Sequence, residues 1–333
     1  MDNLTFLGFL FGPIVMIAFL ITLGVLPRWI EKAKKIGLVW DDVHKWHKKK
    51  KVAGSGGIVA LVGFIIATLL YVGIKTFIFK TETNLIEIFT IITTIILAAL
   101  VGFIDDIVGW KSGGLTKKSR LAMMIFIAIP LMVINAGEST MMGVDFGLFY
   151  PLVLVPLAIV GAGTTFNFLA GYNGLESSQG ILILTALSIV AFMTGKLWLS
   201  LIAVTMVASL FALWLFNKYP AKVFVGDVMT YAVGAMIACM AILGNMEKIA
   251  VFFFIPYILE VILKARGKFE KQSFSKVNSK GELSPLYDKV YGLEHIAVRL
   301  LRAVKGKAYE WEVPIVIGLF QLVVIIAGFI WIF

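Results

Sequence analysis

The chain has 333 residues, of which 60% are hydrophobic and only 15% charged, and its mean hydropathy is +0.95; an ordinary soluble domain carries about 25% charged residues. These figures exclude a soluble globular protein and leave a polytopic membrane protein that forms one bundle in lipid. The net charge of +10 asks for anionic partners, and the lone cysteine, Cys239, excludes a disulfide framework and a thiolate metal cluster.

Apolar runs able to cross a hydrocarbon layer of roughly 30 Å fall at 5–26, 54–74, 84–104, 120–136, 149–166, 179–195, 198–217, 228–244, 249–264 and 313–333. The expected fold is therefore an all-α integral membrane bundle of about ten transmembrane helices, a single domain over residues 1–333. The first run carries acidic Asp2 in place of a basic leader and has no small-residue cleavage site, so it reads as a retained span. With the N-terminus outside, the inner connections hold 26 of the 30 Lys and Arg residues, and the outer ones hold only Lys75, Lys80, Lys196 and Lys248. The basic face is thus cytoplasmic, suited to anionic headgroups, phosphates or nucleotides. Nucleic acid is a poor partner, because the basic loops contain no folded recognition module.

The polar groups of interest lie on inner connections. The first holds the run HKWHKKKK, His44 to Lys51, which reads as an electrostatic anchor or a guide for an anionic lipid; His44 and His47 lie within the cationic run and read poorly as metal ligands. The second follows the uncharged run Ile91 to Phe103 and begins with Asp105 and Asp106, at the mouth of a hydrophobic helix. Adjacent helical residues point about 100° apart, so the two carboxylates have different tasks. Lys117, Lys118 and Arg120 come next.

The third connection reads FNFLAGYNGLESSQG, Phe166 to Gly180, bringing Asn167, Gly171, Asn173, Gly174 and Glu176 to the membrane boundary. Glycine admits close backbone approach and asparagine can ligate a hard cation or read a base edge; a helix-capping turn is the plainer alternative. The fourth reads KVFVGDVMTYAVGA, Lys222 to Ala235, where Asp227 is either an N-cap or a metal ligand. The last, residues 265–312, is the one long polar segment. It carries Arg266 and Lys268, turn and strand signals at Asn278 to Pro285, and apolar residues at helical spacing over Tyr291 to Val304, an amphipathic helix on the inner leaflet. Magnesium takes oxygen ligands, uses few protein groups and completes its shell with phosphate and water. Carboxylates, amides and a basic rim together therefore suggest phosphoryl transfer.

GFIDDIVGW, NFLAGYNGLESSQ and VFVGD, in this order on inner loops, resemble the polyprenyl-phosphate N-acetylhexosamine-1-phosphate transferase family. NFLAGYNGLE is closer to the eukaryotic and archaeal UDP-GlcNAc:dolichyl-phosphate GlcNAc-1-phosphate transferases than to the phospho-MurNAc-pentapeptide branch, whose triple histidine is missing here. The resemblance implies an acidic catalytic pair at Asp105 and Asp106, with Lys118 and Arg120 as the favoured basic groups of that loop. It implies magnesium, or manganese in its place, on Asn167 and Asp227, and nucleotide contacts at Asn173, Gly171 and Glu176. It also places Arg266 and Lys268 near sugar and pyrophosphate, and Asp42 and Lys45 of GLVWDDVHK in the loop that meets the lipid phosphate or donor. One departure stands out: family members carry Pro-Glu where this chain has Ala53 and Gly54.

The implied activity moves GlcNAc-1-phosphate from a UDP-sugar to polyprenyl or dolichyl phosphate with release of UMP, the first membrane step of lipid-linked oligosaccharide synthesis for N-glycosylation. The implied partners are the UDP-N-acetylhexosamine donor, the lipid phosphate acceptor and membrane lipids, with a homodimer as one open arrangement. The setting is the cell membrane, or the endoplasmic reticulum in a eukaryote. A sibling transferase using another UDP-HexNAc or UDP-MurNAc-pentapeptide is the first alternative. An anion transporter, which would need ionisable residues near the bilayer midplane and an inverted repeat, is the second.

Overall fold

A computed structural model describes residues 3–46, 50–141 and 143–332, with side chains for all of these except residues 3–10, 112, 117 and 141. His47, Lys48 and Lys49 of the basic run, and the side chain of Lys117, therefore lie outside the described residues. The chain opens with α1 (Asn3–Ile36), then a short antiparallel hairpin of β1 (Val39–Asp42) and β2 (Lys50–Ala53). Next come α2 (Gly57–Gly73), α3 (Leu85–Ser112), α4 (Lys117–Ile127), α5 (Ile129–Val133) and α6 (Val155–Phe166). The remainder is α7 (Leu175–Met193), α8 (Leu197–Asn217), α9 (Asp227–Gly244), α10 (Glu247–Phe253), α11 (Ile255–Arg266), α12 (Leu293–Lys305) and α13 (Glu312–Ile332).

Among the described residues, seven helices are long and apolar enough to cross a membrane, and they coincide with seven of the ten runs read from sequence: those in α1, α2, α3, α7, α8, α9 and α13. The protein is thus an all-α, multi-pass membrane protein. The other three runs fall on segmented helices: α4 with α5, α6 with the π-helical turn Tyr150–Leu154 before it, and α10 with α11. Proline accounts for the segmentation, since Pro130, Pro156 and Pro256 each stand at the start of the second segment, where the missing N–H breaks the ladder. At the α10–α11 break, the carbonyl of Phe253 accepts a hydrogen bond from Gln321 Nε2 of α13 at 2.9 Å. A backbone acceptor left bare in hydrocarbon would cost several kcal/mol, so this side chain stands in for the missing helical donor.

Helix α9 is the centre of the bundle, with 89% of its apolar window buried, and it packs against both α3 and α6. Its approach to α3 depends on Gly102, where a Cβ would lie 2.3 Å from the Asp227 carbonyl oxygen. That closeness brings the end of α3 and the start of α9 into hydrogen-bonding reach. In the 265–312 segment, Lys276–Val277 pairs with Leu283–Ser284 where strand and turn signals occur. The expected amphipathic helix is α12. Its stripe divides: Leu293 and Ala297 are buried with Glu294 and His295, while Ile296, Leu300 and Val304 stay exposed.

Candidate functional site

The apolar run before the acidic pair ends at Phe103, yet α3 continues to Ser112 and stops at Gly113, whose φ of +89° suits glycine. Asp105 and Asp106 are therefore in the last two turns of the helix rather than beyond it, and both are buried. Their partners differ. Asp105 Oδ2 pairs with Arg120 Nε at 2.8 Å and accepts the Tyr231 hydroxyl at 2.9 Å, while Oδ1 accepts the Leu115 N–H at 3.0 Å. Asp106 Oδ2 accepts from Ser55 Oγ at 2.7 Å, and Oδ1 accepts the backbone N–H of Asp227 at 2.8 Å.

This last bond removes the N-cap reading of Asp227. The residue before α9 is Gly226, at φ +77°, with no side-chain cap of its own; a Cβ there would stand 2.3 Å from Asp106 Oδ2. The helix start is capped by Asp106 from another helix, so the Asp227 carboxyl is not used as a cap. It stands instead beside the carboxyls of Asp105 and Asp106 and the Arg120 guanidinium. The segment before α9 is held in turn by the N-terminal hairpin: Phe224 N–H donates to the Ala53 carbonyl at 2.8 Å, and Gly56 N–H to the Phe224 carbonyl at 2.9 Å.

A cavity of about 340 Å³ opens between these elements. Asp106 and Asp227 line it, as do Asn167 from the end of α6, Gly171 and Asn173 from the following loop, Glu176 from the first turn of α7, and Asp42 from β1. Three motifs separated by some sixty residues each thus share one wall. Glu176 closes its own loop, accepting the Gly171 N–H at 3.0 Å. Asn173 Nδ2 donates to Asp42 Oδ2 at 3.3 Å, and Lys45 Nζ lies 3.2 Å from that same oxygen while also pairing with Glu310. His44 stacks on Tyr172 at 4.5 Å between ring centres. Burial, against the pull of Asp42, pushes its pKa down to about 4. Burial raises the pKa of Glu310; that of Lys45 rises too, because its two carboxylate partners outweigh its own burial.

The remaining sequence-read residues divide. Of the basic group after α3, Arg120 reaches the acidic pair and Lys118 is exposed. Arg266 and Lys268 are both exposed. The lysines facing the ligand side of their loop are Lys264 and Lys271, which line a second cavity of about 310 Å³ that adjoins the first at Asn167, Gly171 and Phe274. Lys264 is directed there by Glu260 Oε1, 3.3 Å away on the preceding turn, and by Ser273. Sequence reading missed Ser55, Tyr231, Trp40, Phe224 and Glu310. Only Trp40 and Phe224 carried a signal, as aromatics inside polar motifs. At the departure from the family pattern, Gly54 leaves room for the Trp40 ring, which a Cβ would meet at 1.9 Å.

Among the described residues no three His, Cys, Asp or Glu side chains form a complete metal cage. What the wall offers is the carboxyl groups of Asp106 and Asp227 beside the Asn167 side chain, with Asp105 and Arg120 behind them. That donor set fits a hard divalent cation, which takes few protein oxygens.

Residues 88–245 match glycosyl transferase family 4. A protein of Saccharolobus solfataricus, provisionally named a UDP-N-acetylglucosamine–dolichyl-phosphate N-acetylglucosaminephosphotransferase, is 33% identical over 310 residues, 91% of each chain. The chain belongs to glycosyl transferase family 4. A second relative bearing the same provisional name, from Sulfolobus acidocaldarius, is 29% identical over 91% of this chain and 90% of its own. A phospho-N-acetylmuramoyl-pentapeptide-transferase of Streptococcus suis is 30% identical over 89% and 90% respectively. The stretch that matches family 4 contains Asp105, Asp106, Asn167, Asn173 and Asp227.

Proposed function

We propose that this family 4 protein transfers GlcNAc-1-phosphate from UDP-GlcNAc to a polyprenyl or dolichyl phosphate, releasing UMP, as the first membrane step of lipid-linked oligosaccharide synthesis. The observation that carries the reading is the meeting of Asp106, Asn167, Asn173 and Asp227 on one cavity wall. The names of the two archaeal relatives support it. An oxygen of the acceptor phosphate attacks the β-phosphorus of the donor, a new P–O bond forms, and the bond to the α-phosphate oxygen breaks with UMP as leaving group. Asp227 and Asn167 would hold magnesium, or manganese, which supplies charge neutralisation at the pyrophosphate.

Asp106 positions the Asp227 end of that wall through its bond to the α9 backbone, and Arg120 holds Asp105 in place. Asp105 does not line the cavity, and its oxygens already serve Arg120, Tyr231 and Leu115; this favours direct attack over a covalent intermediate on Asp105. Asn173 contacts the uridine, with Gly171 and Glu176 shaping its loop. Basic residues at and just after the end of α11 meet the sugar and pyrophosphate, with Lys264 and Lys271 nearer than Arg266 and Lys268. The three proline-broken helices complete ten crossings of one domain. All the site loops then lie on the cytoplasmic face, where the basic residues gather.

The test is radiolabel transfer in detergent from UDP-GlcNAc to polyprenyl phosphate, with and without magnesium. Magnesium-dependent lipid-linked product is expected. Product from UDP-MurNAc-pentapeptide instead would move the protein to the muramyl branch, and no product from any UDP-HexNAc would sink the transferase reading.

A further inference from the structure

Glu310, in the connection between α12 and α13, is buried at 4% exposure although it is separated from the nearest site motif by more than eighty residues of chain. A carboxylate is almost never buried this deeply unless it is paired. Its pairing is with the donor loop: Glu310 accepts from Lys45, and its Oε1 lies 3.9 Å from His44 Nδ1. His44 Nε2 accepts the Ser275 N–H at 3.3 Å, so in the neutral ring the proton is on Nδ1, turned toward Glu310. The Lys45 ammonium is enclosed by Glu310, by Asp42 and by the face of Tyr219, 4.4 Å from the ring centre.

Asn173 is therefore held through its side chain by Asp42, and Lys45 ties that carboxylate to Glu310. We infer that Glu310 is a positioning residue for the donor, a latch that sets the orientation of Asn173 through Asp42 and Lys45 rather than touching substrate. The inference rests on the transferase reading, in which Asn173 meets the nucleotide. On this account Lys45 is part of the latch, and its charge is spent on protein carboxylates rather than on a phosphate.

The experiment measures Kd for UDP by calorimetry, and KM for UDP-GlcNAc and polyprenyl phosphate separately, in wild type, Glu310→Gln, Lys45→Met and the double variant. In Glu310→Gln, Kd for UDP and KM for the donor rise about tenfold, kcat falls less than about threefold, and the acceptor KM is unchanged. Lys45→Met weakens UDP binding to a similar degree, and the double variant is no worse than the weaker single, because both break one network. Should Glu310→Gln yield no folded protein, Glu310→Asp replaces it, with an intermediate rise in Kd. Wild-type UDP affinity in Glu310→Gln or its replacement overturns the inference, as do additive losses in the double variant or a loss spread equally over donor and acceptor. A wild-type protein that binds no UDP overturns the transferase reading itself.

Discussion

Where α3 meets α9, three carboxylates, Asp105, Asp106 and Asp227, share one guanidinium; where β1 meets the α12–α13 connection, Asp42 and Glu310 enclose the Lys45 ammonium beside a neutral His44. Both groups border one cavity, but the first gathers three acidic side chains around one guanidinium and the second closes two around its own ammonium. Crowding acidic groups together in a buried place is costly, so an excess of them at a cavity wall marks where an outside cation belongs. The compensated group is scaffold. Substitutions that remove charge from each side should accordingly fail in different ways.

The largest expected effect is Asp227→Ala, which takes the proposed metal ligand from the acidic side: turnover falls roughly 10⁴-fold and the magnesium dependence shifts, read by radiolabel transfer across a metal titration. Retention of full turnover at low magnesium would remove Asp227 from the metal assignment. Arg120→Met leaves Asp105 buried without its cation and should cost about 4 kcal/mol of stability, read as a lowered melting temperature in detergent.

On the compensated side the expected signature is a pH slope. His44 is held neutral in the fold with its pKa at about 4, below the ordinary 6.5. The unfolded chain thus binds the extra proton between those values, and stability falls as pH drops from 6.5 to 4, by about 3 kcal/mol. His44→Gln should flatten that slope in thermal melts taken at each pH; an unchanged slope would assign it to other groups. The smallest effect is Asn173→Ala, a donor KM raised about tenfold with kcat nearly kept, from steady-state rates at saturating acceptor.

Long apolar runs announced seven spans because, in lipid, hydrophobicity over eighteen or more residues outweighs every local preference of the backbone. Composition could not show that Pro130, Pro156 and Pro256 divide the other three. Nor could it show that α3 persists two turns past Phe103, since charged residues there are stabilised by partners from elsewhere in the chain. The acidic pair, Asn167, Asn173 and Asp227 were legible because each sits in a short polar motif at the end of an apolar run. The β1–β2 hairpin was not, its four-residue strands being too short and too charged for a period-two pattern. Glu310 was invisible for another reason: its partner Lys45 lies 265 residues away, and ion pairs across such a separation leave no local trace.

The bond from Asp106 to the first N–H of α9 joins residues 121 positions apart, and it has a consequence for biogenesis. As the eighth apolar run leaves the ribosome, its leading turn has no cap of its own and must find one already waiting on the third. The reaction centre is therefore assembled only after most of the polypeptide has been inserted, and a chain terminated before residue 227 holds half of a clasp and none of its chemistry.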